Sequence, residues 1–320
     1  PDYLPISNTS TIDSTEKVHI DDDDDDDNND DESEDEDDEP VVSEIDPYPD
    51  IDRTGWDEEK YFNHYIDDDF FSFISEKTNQ TSVLTKNKSL QTTPNEIKLW
   101  FGVSLIMKYW QRRWRIPLIA DNITRDRFFA LRSSMNVQFD LDVTDEARKE
   151  NKLWKVQPLL ERILKECNQF FRDKNVCVDE NIMPFSGSLG VKQFVNGKPN
   201  PVGMKIFVLA NASGLICDFV PYQGDTTLPP EFRKYPISQG SVLCLTTTLN
   251  KGHVIFHDQW FTSVKLCESL YALGFQSVGT IMSNRLPKNI RLLSDKELQK
   301  KGRGSSDVLV RHDQQLARTK

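Results

Sequence analysis

Two aspartates in the second half of the chain stand where apolar, strand-like runs meet polar residues. Asp179 lies near the end of "VCVDE" (176–180), and Asp258 directly follows "HVIFH" (253–257). Carboxylates that lie side by side repel each other and raise each other's pKa unless a cation neutralises them. Mg²⁺ prefers such hard oxygen ligands, and two ions about 3.5 to 4 Å apart stabilise the attacking and leaving oxygens of a phosphodiester displacement. If the fold brings them together, the two aspartates predict a site for Mg²⁺ or Mn²⁺.

Each of these residue types also has a purely structural interpretation. A single Asp after a strand is more often a turn or cap residue, and this alternative stays open for Asp258. His253 and His257 lie two full strand repeats apart, which favours structural histidines over a metal pair. The cysteines are dispersed, odd in number and without a CxxC pair, so we interpret them as reduced core residues and predict no zinc site. They are Cys167, Cys177, Cys217, Cys244 and Cys267.

The elements that must position the two aspartates follow residue 175, where short β-like runs replace a helical pattern. They are predicted as a strand, a hairpin of two strands, a helix, a strand, a helix and a last strand. Their ranges are 176–180, 205–210, 215–220, 240–252, 253–257, 262–274 and 277–281. For 240–252 the composition favours a strand and the apolar spacing favours a helix, and we choose the helix. This order is that of a ribonuclease H-like α/β core with a mixed sheet, in which the first and fourth strands are neighbours. Asp179 and Asp258 are then expected to face each other.

The preceding region, 51–174, has helical apolar spacing and no convincing strand. Its predicted helices are 93–110, 124–135 with Thr124 as N-cap, and 153–171. Basic residues crowd the surface of this region: Lys108, Arg112, Arg113, Arg115, Arg125, Arg127 and Arg132. One interpretation is a solvated face whose Lys and Arg stems cover apolar surface. The alternative is a helical module that contacts phosphate, since basic clusters interleaved with tryptophans suit a polyanion.

The formal charge of the chain is unevenly distributed. The first 50 residues hold 22 acidic residues against one base, Lys17, which gives them −21, so the other 270 residues carry +8 within the whole-chain −13. Residues 21–40 offer no apolar surface to bury, and like charges repel, so we predict that 1–50 is a disordered acidic tail. No apolar run approaches the roughly 18 residues of a membrane span, and no signal peptide is present. A soluble, intracellular protein without a membrane partner is therefore expected.

Five segments resemble piggyBac-type transposases, and the likeness runs from about residue 70 to the end of the chain. They are Thr93–Trp110, Leu153–Ile163, Val178–Asp225, His257–Arg285 and Lys300–Val310. The third segment follows the family's first-aspartate segment nearly throughout, and "HDQWFTS" is similar to the second. Carried over by residue, Asp179 takes the place of the first catalytic Asp and Asp258 that of the second. The resemblance implies a ribonuclease H-like nuclease that uses Mg²⁺ or Mn²⁺.

The resemblance also implies partners and a domain order. The family moves double-stranded DNA by cut and paste into TTAA targets, so transposon ends as substrate, a homodimer and a nuclear location are expected. The expected regions are the acidic tail (1–50), a helical DNA-binding and dimerisation region (51–174), the core (175–285) and the start of an insertion domain (286–320). The DNA-contact candidates are then Arg112, Arg113, Arg115, Arg125, Arg127 and Arg132.

Departures from the family pattern leave the activity open. The family's third catalytic Asp lies beyond a β-rich insertion that this chain only enters, and Asp295, Asp307 and Asp313 precede or begin that insertion. The Cys-rich zinc-binding end of many members is missing, and Ser and Gly stand in "PFSGS" where the family usually has Lys and Arg. Three hypotheses follow: a fragment of an active transposase, a transposase-derived protein that binds DNA without cleaving it, or an interaction protein whose acidic tail contacts basic chromatin proteins.

Overall fold

The computed structural model describes residues 51–106, 117–287, 292–311, 313 and 315–320 in full, and the backbone of two strands at 3–7 and 10–11. Its helices are α1 (Glu58–Tyr65), α2 (Asp68–Lys86), α3 (Pro94–Ile106), α4 (Pro117–Ala120), α5 (Arg125–Ser134), α6 (Asp145–Glu150), α7 (Gln157–Cys167), α8 (Ile237–Leu245), α9 (Val264–Ala272) and α10 (Asp295–Lys301). Its strands are β1 (Tyr3–Ser7), β2 (Ser10–Thr11), β3 (Asn175–Pro184), β4 (Gln193–Phe194), β5 (Val202–Asn211), β6 (Ile216–Pro221), β7 (Val254–His257), β8 (Gln276–Gly279), β9 (Val308–Arg311) and β10 (Ala317–Thr319). In the ranges described in full, no helix is both long and apolar enough to cross a bilayer.

Six strands form one mixed sheet in the order β4-β5-β3-β7-β8, with β6 also paired to β5. The β4–β5 and β5–β6 pairs are antiparallel, and β7–β8 is parallel with His257 opposite Gly279. The helix chosen for 240–252 is confirmed in its first part by α8, which lies between β6 and β7 in the chain. Strand β3 is the neighbour of β7, so the predicted ribonuclease H-like strand order is confirmed.

Strand β3 is longer than the sequence predicted. The prediction ended it on Asp179 and Glu180, whereas the strand continues to Pro184, so the expectation that Asp179 ends its strand is wrong. The extended part of β3 lies against the neighbouring strand β5, and at Gly203 the two backbones approach closely. A Cβ added to Gly203 would lie 2.1 Å from the Met183 carbonyl oxygen. The extension of β3 beyond Glu180 therefore accompanies its pairing with a strand that is distant in sequence.

Capping residues mark the ends of helices α5 and α9. The Thr124 side chain accepts a hydrogen bond from the Arg127 N–H at the start of α5, as predicted, and Ser263 accepts one from Leu266 at the start of α9. Gly274 has a φ of +88° just after α9, a left-handed conformation that costs glycine little. Its predicted role in ending that helix is confirmed.

The helix predicted at 153–171 is shorter in the structure, where α7 ends at Cys167. Apolar spacing continues beyond this point, but the backbone finds other partners. The Arg172 guanidinium donates to the carbonyl oxygens of Asn168 and Phe170 at 2.7 and 2.6 Å. These side-chain bonds satisfy carbonyl groups that would otherwise need the next helical turn.

Helices α2, α3 and α5 contribute to one apolar core in the helical region. Phe71, Ile74, Ile97 and Leu131 are at most 1% exposed there. Ile97 and Leu131 lie in helices that the sequence predicted at 93–110 and 124–135, and burying each such side chain contributes about 1.5–3 kcal/mol. The prediction that 51–174 is helical is confirmed for the described residues of this region.

An ion pair between α3 and α5 gives the helical region a predictable pH dependence. Nε and Nη2 of Arg127 contact the two carboxylate oxygens of Glu96 at 2.5 and 2.7 Å. This hydrogen bonding to Arg127 holds the pKa of Glu96 below its ordinary value of 4.5. A carboxylate whose pKa is lower in the folded state adds stability above its unfolded pKa, and this stability is lost as the pH falls through the folded pKa.

We therefore expect the wild type to be more stable than Glu96→Gln at neutral pH and this advantage to shrink below a pH of about 4.5. Urea unfolding of both proteins at pH 7 and pH 3 measures the difference in the free energy of unfolding. A difference of the same size at both pH values would contradict the prediction.

The strands at the start of the chain correct part of the tail prediction. β1 and β2 belong to a four-stranded sheet in the order β10-β9-β1-β2. Disorder throughout 1–50 is therefore wrong for 3–7 and 10–11. Acidic residues concentrate in 21–40, whereas "YLPIS" contains Tyr and Ile, which favour strands. The acidic run itself lies outside the described residues.

The chain divides into two compact units. One includes 174–177 and 249–320, and it contains β7 to β10 with α9 and α10. The other includes 51–173 and 178–248, and it contains the helices α1 to α8 with β4, β5 and β6. The boundary between the units falls within strand β3.

Candidate metal centre

Three acidic residues of the described chain lie close enough to hold one metal ion. Asp179, Glu180 and Asp258 each offer a carboxylate oxygen, and these oxygens all lie within 4.8 Å of one another. The structure thus brings together the two aspartates that the sequence singled out, and it adds Glu180, which the prediction missed. Oxygen ligands alone suit Mg²⁺ or Mn²⁺, whereas zinc favours sites with Cys and His. We call these three residues the acid cluster.

Asp179 lies in the middle of β3 and is exposed, and Glu180 is partly buried beside it. Oδ1 of Asp179 accepts a hydrogen bond from the Glu180 N–H at 2.7 Å, which fixes the plane of the carboxylate. Oε1 of Glu180 lies 3.5 Å from Nζ of Lys198. The Lys198 ammonium eases the repulsion that neighbouring carboxylates impose on one another.

Asp258 begins a tight turn directly after β7. Its Oδ1 accepts a hydrogen bond from the Trp260 N–H at 2.8 Å, and its carbonyl oxygen accepts from the N–H groups of Phe261 and Thr262. Asp258 is therefore a turn residue, and whether it also binds a metal stays a prediction. The turn role does not compete with a metal role, because the same carboxylate that orients the turn belongs to the acid cluster.

A buried His–Thr pair supports this turn. The Thr262 hydroxyl donates to the Asp258 carbonyl oxygen at 2.6 Å, so it accepts from Nδ1–H of His257 at 2.7 Å. Burial lowers the pKa of His257 to about 4, against a smaller opposing effect of Asp258. His257 is thus neutral and structural, which is the role that the sequence favoured for it.

The predicted DNA-contact residues fall into three groups. Those outside the described residues are Arg112, Arg113 and Arg115. Arg125 and Arg132 are exposed on α5. Arg127 is engaged by Glu96 in the bidentate pair between α3 and α5. Contact between any of these residues and DNA stays a prediction.

The downstream aspartates weighed as a third acid each have a local partner. Asp295 pairs with Lys320, Asp313 pairs with Arg311, and Asp307 accepts a hydrogen bond from a backbone N–H. Within the described part of the chain, none of the three belongs to the acid cluster. That none of them replaces the family's third Asp stays a prediction.

Comparison with known proteins places the chain in a family. A family model described as transposase IS4 matches residues 57–319. PiggyBac transposable element-derived protein 3 of Homo sapiens is 29% identical over 265 residues, a match that covers 77% of this chain and 43% of that protein. PiggyBac transposable element-derived protein 2 of Homo sapiens is 29% identical over 276 residues, covering 80% of this chain and 45% of that protein. The chain spans less than half the length of these two relatives.

A solved structure shares the fold. The chain is similar to a piggyBac transposase in a cryo-EM structure of its synaptic complex with hairpin DNA, with a TM-score of 0.61 and 20% identity. The match covers 78% of this chain and 56% of that chain. The resemblance inferred from the sequence motifs is confirmed. Because the family model matches most of its residues, the chain belongs to the transposase IS4 family, and its fold is that of a piggyBac transposase.

Proposed function

We propose that this chain is the core of a DNA transposase, in which Asp179 and Asp258 bind Mg²⁺ or Mn²⁺ and act on phosphodiester bonds of double-stranded DNA. The observation that carries the proposal is the acid cluster within a transposase fold. When bound, such an ion polarises phosphoryl oxygens and stabilises the charge that develops during displacement.

The residues of the cluster have the properties that this role requires. Asp179 and Asp258 are exposed, so a phosphate group of DNA can approach both carboxylates. A backbone N–H holds Oδ1 of each aspartate, so both carboxylates are oriented before any ligand arrives. Lys198 offsets part of the charge of Glu180, which lowers the cost of keeping three acids close together.

Charge and family likeness both support DNA as the partner. Residues 51–320 carry a formal charge of +8, which attracts a polyphosphate. The similar solved structure is a transposase in complex with hairpin DNA. The proposal extends to the family's further properties, which are transposon ends as substrate, TTAA as target, a homodimer and a nuclear location.

Divalent ions are expected to strengthen DNA binding through the acid cluster. Fluorescence anisotropy of a labelled duplex measures affinity for the full chain with Ca²⁺ and with EDTA. We expect tighter binding with Ca²⁺ in the wild type, because an ion shared by carboxylates and phosphate removes their repulsion. Asp179→Asn and Asp258→Asn should lose this gain, and Asp295→Asn, an exposed aspartate outside the cluster, should keep it. Equal affinity of the wild type with Ca²⁺ and EDTA would contradict the proposal.

The same assay tests the basic residues of α5. Non-specific DNA binding weakens with salt in proportion to the number of phosphates that the protein neutralises. Arg125→Gln and Arg132→Gln are each expected to reduce the slope of log affinity against log salt by about 1. An unchanged slope in both variants would remove α5 from the DNA-binding surface.

A second candidate function is DNA binding without cleavage. It is favoured by the curated relatives, which are transposable element-derived proteins. In this alternative, the acidic segment 21–40 also recruits basic chromatin proteins through its charge.

Nicking of a supercoiled plasmid with Mn²⁺ separates the two candidate functions. Cleavage that is lost in Asp258→Asn supports the transposase core. Ion-dependent DNA binding without cleavage supports the non-cleaving DNA-binding protein.

A further inference from the structure

We propose that Arg285 is a positioning residue that sets the geometry of the Asp258 carboxylate, an inference that rests on the proposed function. Nη1 of Arg285 donates to three backbone carbonyl oxygens of the turn that Asp258 begins. The acceptors are Gln259 at 3.1 Å, Trp260 at 2.7 Å and Thr262 at 2.9 Å. One cationic group therefore binds three of the five carbonyl oxygens from Asp258 to Thr262.

The fold explains how Arg285 reaches this turn from a distant part of the chain. Strands β7 and β8 are parallel, and His257 at the end of β7 lies opposite Gly279 at the end of β8. Asp258 directly follows the first strand, and the chain after the second strand turns at Ser283–Arg285. The Arg285 N–H donates to the Met282 carbonyl oxygen, which ties the arginine backbone into this second turn. Parallel pairing thus sets the two turns side by side.

The contacts of Arg285 complement those that already define the Asp258 turn. The Asp258 carboxylate accepts from the Trp260 N–H, and the Thr262 hydroxyl donates to the Asp258 carbonyl oxygen. The carbonyl groups of the following residues point towards Arg285. Hydrogen bonds from a charged donor are roughly twice as strong as neutral ones, so Arg285 holds the carbonyls in one direction. Hydrogen bonds to the donors and to the carbonyl groups therefore both hold the backbone of the turn. Because the Cβ of Asp258 is attached to this backbone, its position is held as well.

The chemistry of the contact distinguishes arginine from lysine. A planar guanidinium offers donors in a fixed fork, whereas an ammonium is a point charge on a flexible stem. The three carbonyls here contact Nη1 alone, whose two hydrogens they share, and a lysine ammonium supplies three hydrogens from a shorter and more flexible stem. We expect Arg285→Lys to keep the charge and recover part of the effect, and Arg285→Gln to lose most of it.

Two measurements on the full chain test the inference. Hydrogen exchange of the backbone amides of Trp260, Phe261 and Thr262 measures the local stability of the turn in the absence of metal. Titration with Mn²⁺ measures the metal affinity of the site that contains the Asp258 carboxylate. We expect Arg285→Gln to speed exchange of these amides and to weaken Mn²⁺ binding by about 10- to 100-fold, the range for residues that orient a metal ligand. Arg303→Gln, a change at an exposed arginine of the same unit, is the control and should alter neither.

A double-mutant cycle separates positioning from general stabilisation. If Arg285 acts through Asp258, adding Arg285→Gln to Asp258→Asn should not weaken Mn²⁺ binding further. Equal weakening in both backgrounds, or unchanged exchange of the turn amides, would overturn the inference. If the wild type shows no Asp258-dependent Mn²⁺ binding, the proposed function fails, and the exchange measurement still decides whether Arg285 fixes the turn.

Discussion

Replacing Gly279 by Ala is expected to destabilise the protein by about 2 kcal/mol, within the usual range for overpacking a buried contact. A Cβ added at this position would lie 2.3 Å from Nδ1 of His257 and 2.5 Å from Oγ1 of Thr262. Both atoms belong to the hydrogen bonds that support the Asp258 turn, so alanine would displace the turn as well as strain the sheet. Mn²⁺ affinity should therefore fall by at least about tenfold.

Chemical denaturation and Mn²⁺ titration measure the two effects, and Gly102→Ala is the matched control. Gly102 lies in α3, where an added Cβ meets no atom within 4 Å. Alanine should stabilise this helix by about 0.5–1 kcal/mol, because glycine costs more backbone entropy. If Gly279→Ala kept both its stability and its Mn²⁺ affinity, the packing against His257 would not be what fixes the turn.

Gly203→Ala is expected to have a larger effect, a loss of about 3 kcal/mol at the upper end of the overpacking range. The added Cβ would lie 2.1 Å from the oxygen and 2.8 Å from the carbon of the Met183 carbonyl group. A backbone carbonyl in a sheet cannot rotate aside as a side chain does, so β3 and β5 must separate locally. Because β3 also carries Asp179, metal affinity should fall along with stability.

The control for Gly203 is Gly190→Ala, since Gly190 also has no atom within 4 Å of an added Cβ. Surface changes of this kind usually alter the free energy of unfolding by less than about 0.5 kcal/mol. Urea unfolding of both variants provides the comparison. Equal midpoints for Gly203→Ala and Gly190→Ala would show that the backbones of β3 and β5 lie farther apart than described.

The strand order could be predicted from the sequence because local signals are strong in this part of the chain. Apolar runs mark the strands, "NASG" marks the hairpin between β5 and β6, and Gly274 marks the end of α9. Once the order is known, the topology makes β3 and β7 neighbours and brings Asp179 and Asp258 together. The meeting of the two aspartates is thus a consequence of topology, which periodicity can reveal.

The remaining features depend on partners that no local pattern contains. Arg127 looked like a surface residue in the sequence, and its partner Glu96 lies 31 residues away. Neighbouring residues of a strand point to opposite faces, so strand periodicity does not predict that Glu180 joins Asp179 in one cluster. The three carbonyl contacts of Arg285 arise from the parallel pairing of β7 and β8, which spacing alone does not reveal.

The most direct test of the acid cluster is calorimetric titration of Mn²⁺ into the full chain, beside Asp179→Asn, Asp258→Asn and Asp295→Asn. The acidic run 21–40 is expected to attract cations weakly and equally in every variant, so differences among the four proteins isolate the cluster. We predict a tighter site in the wild type that survives in Asp295→Asn and is weakened at least about 100-fold in the other two, since even residues outside the ligand set contribute 10- to 100-fold. Indistinguishable titrations of all four proteins would contradict the account.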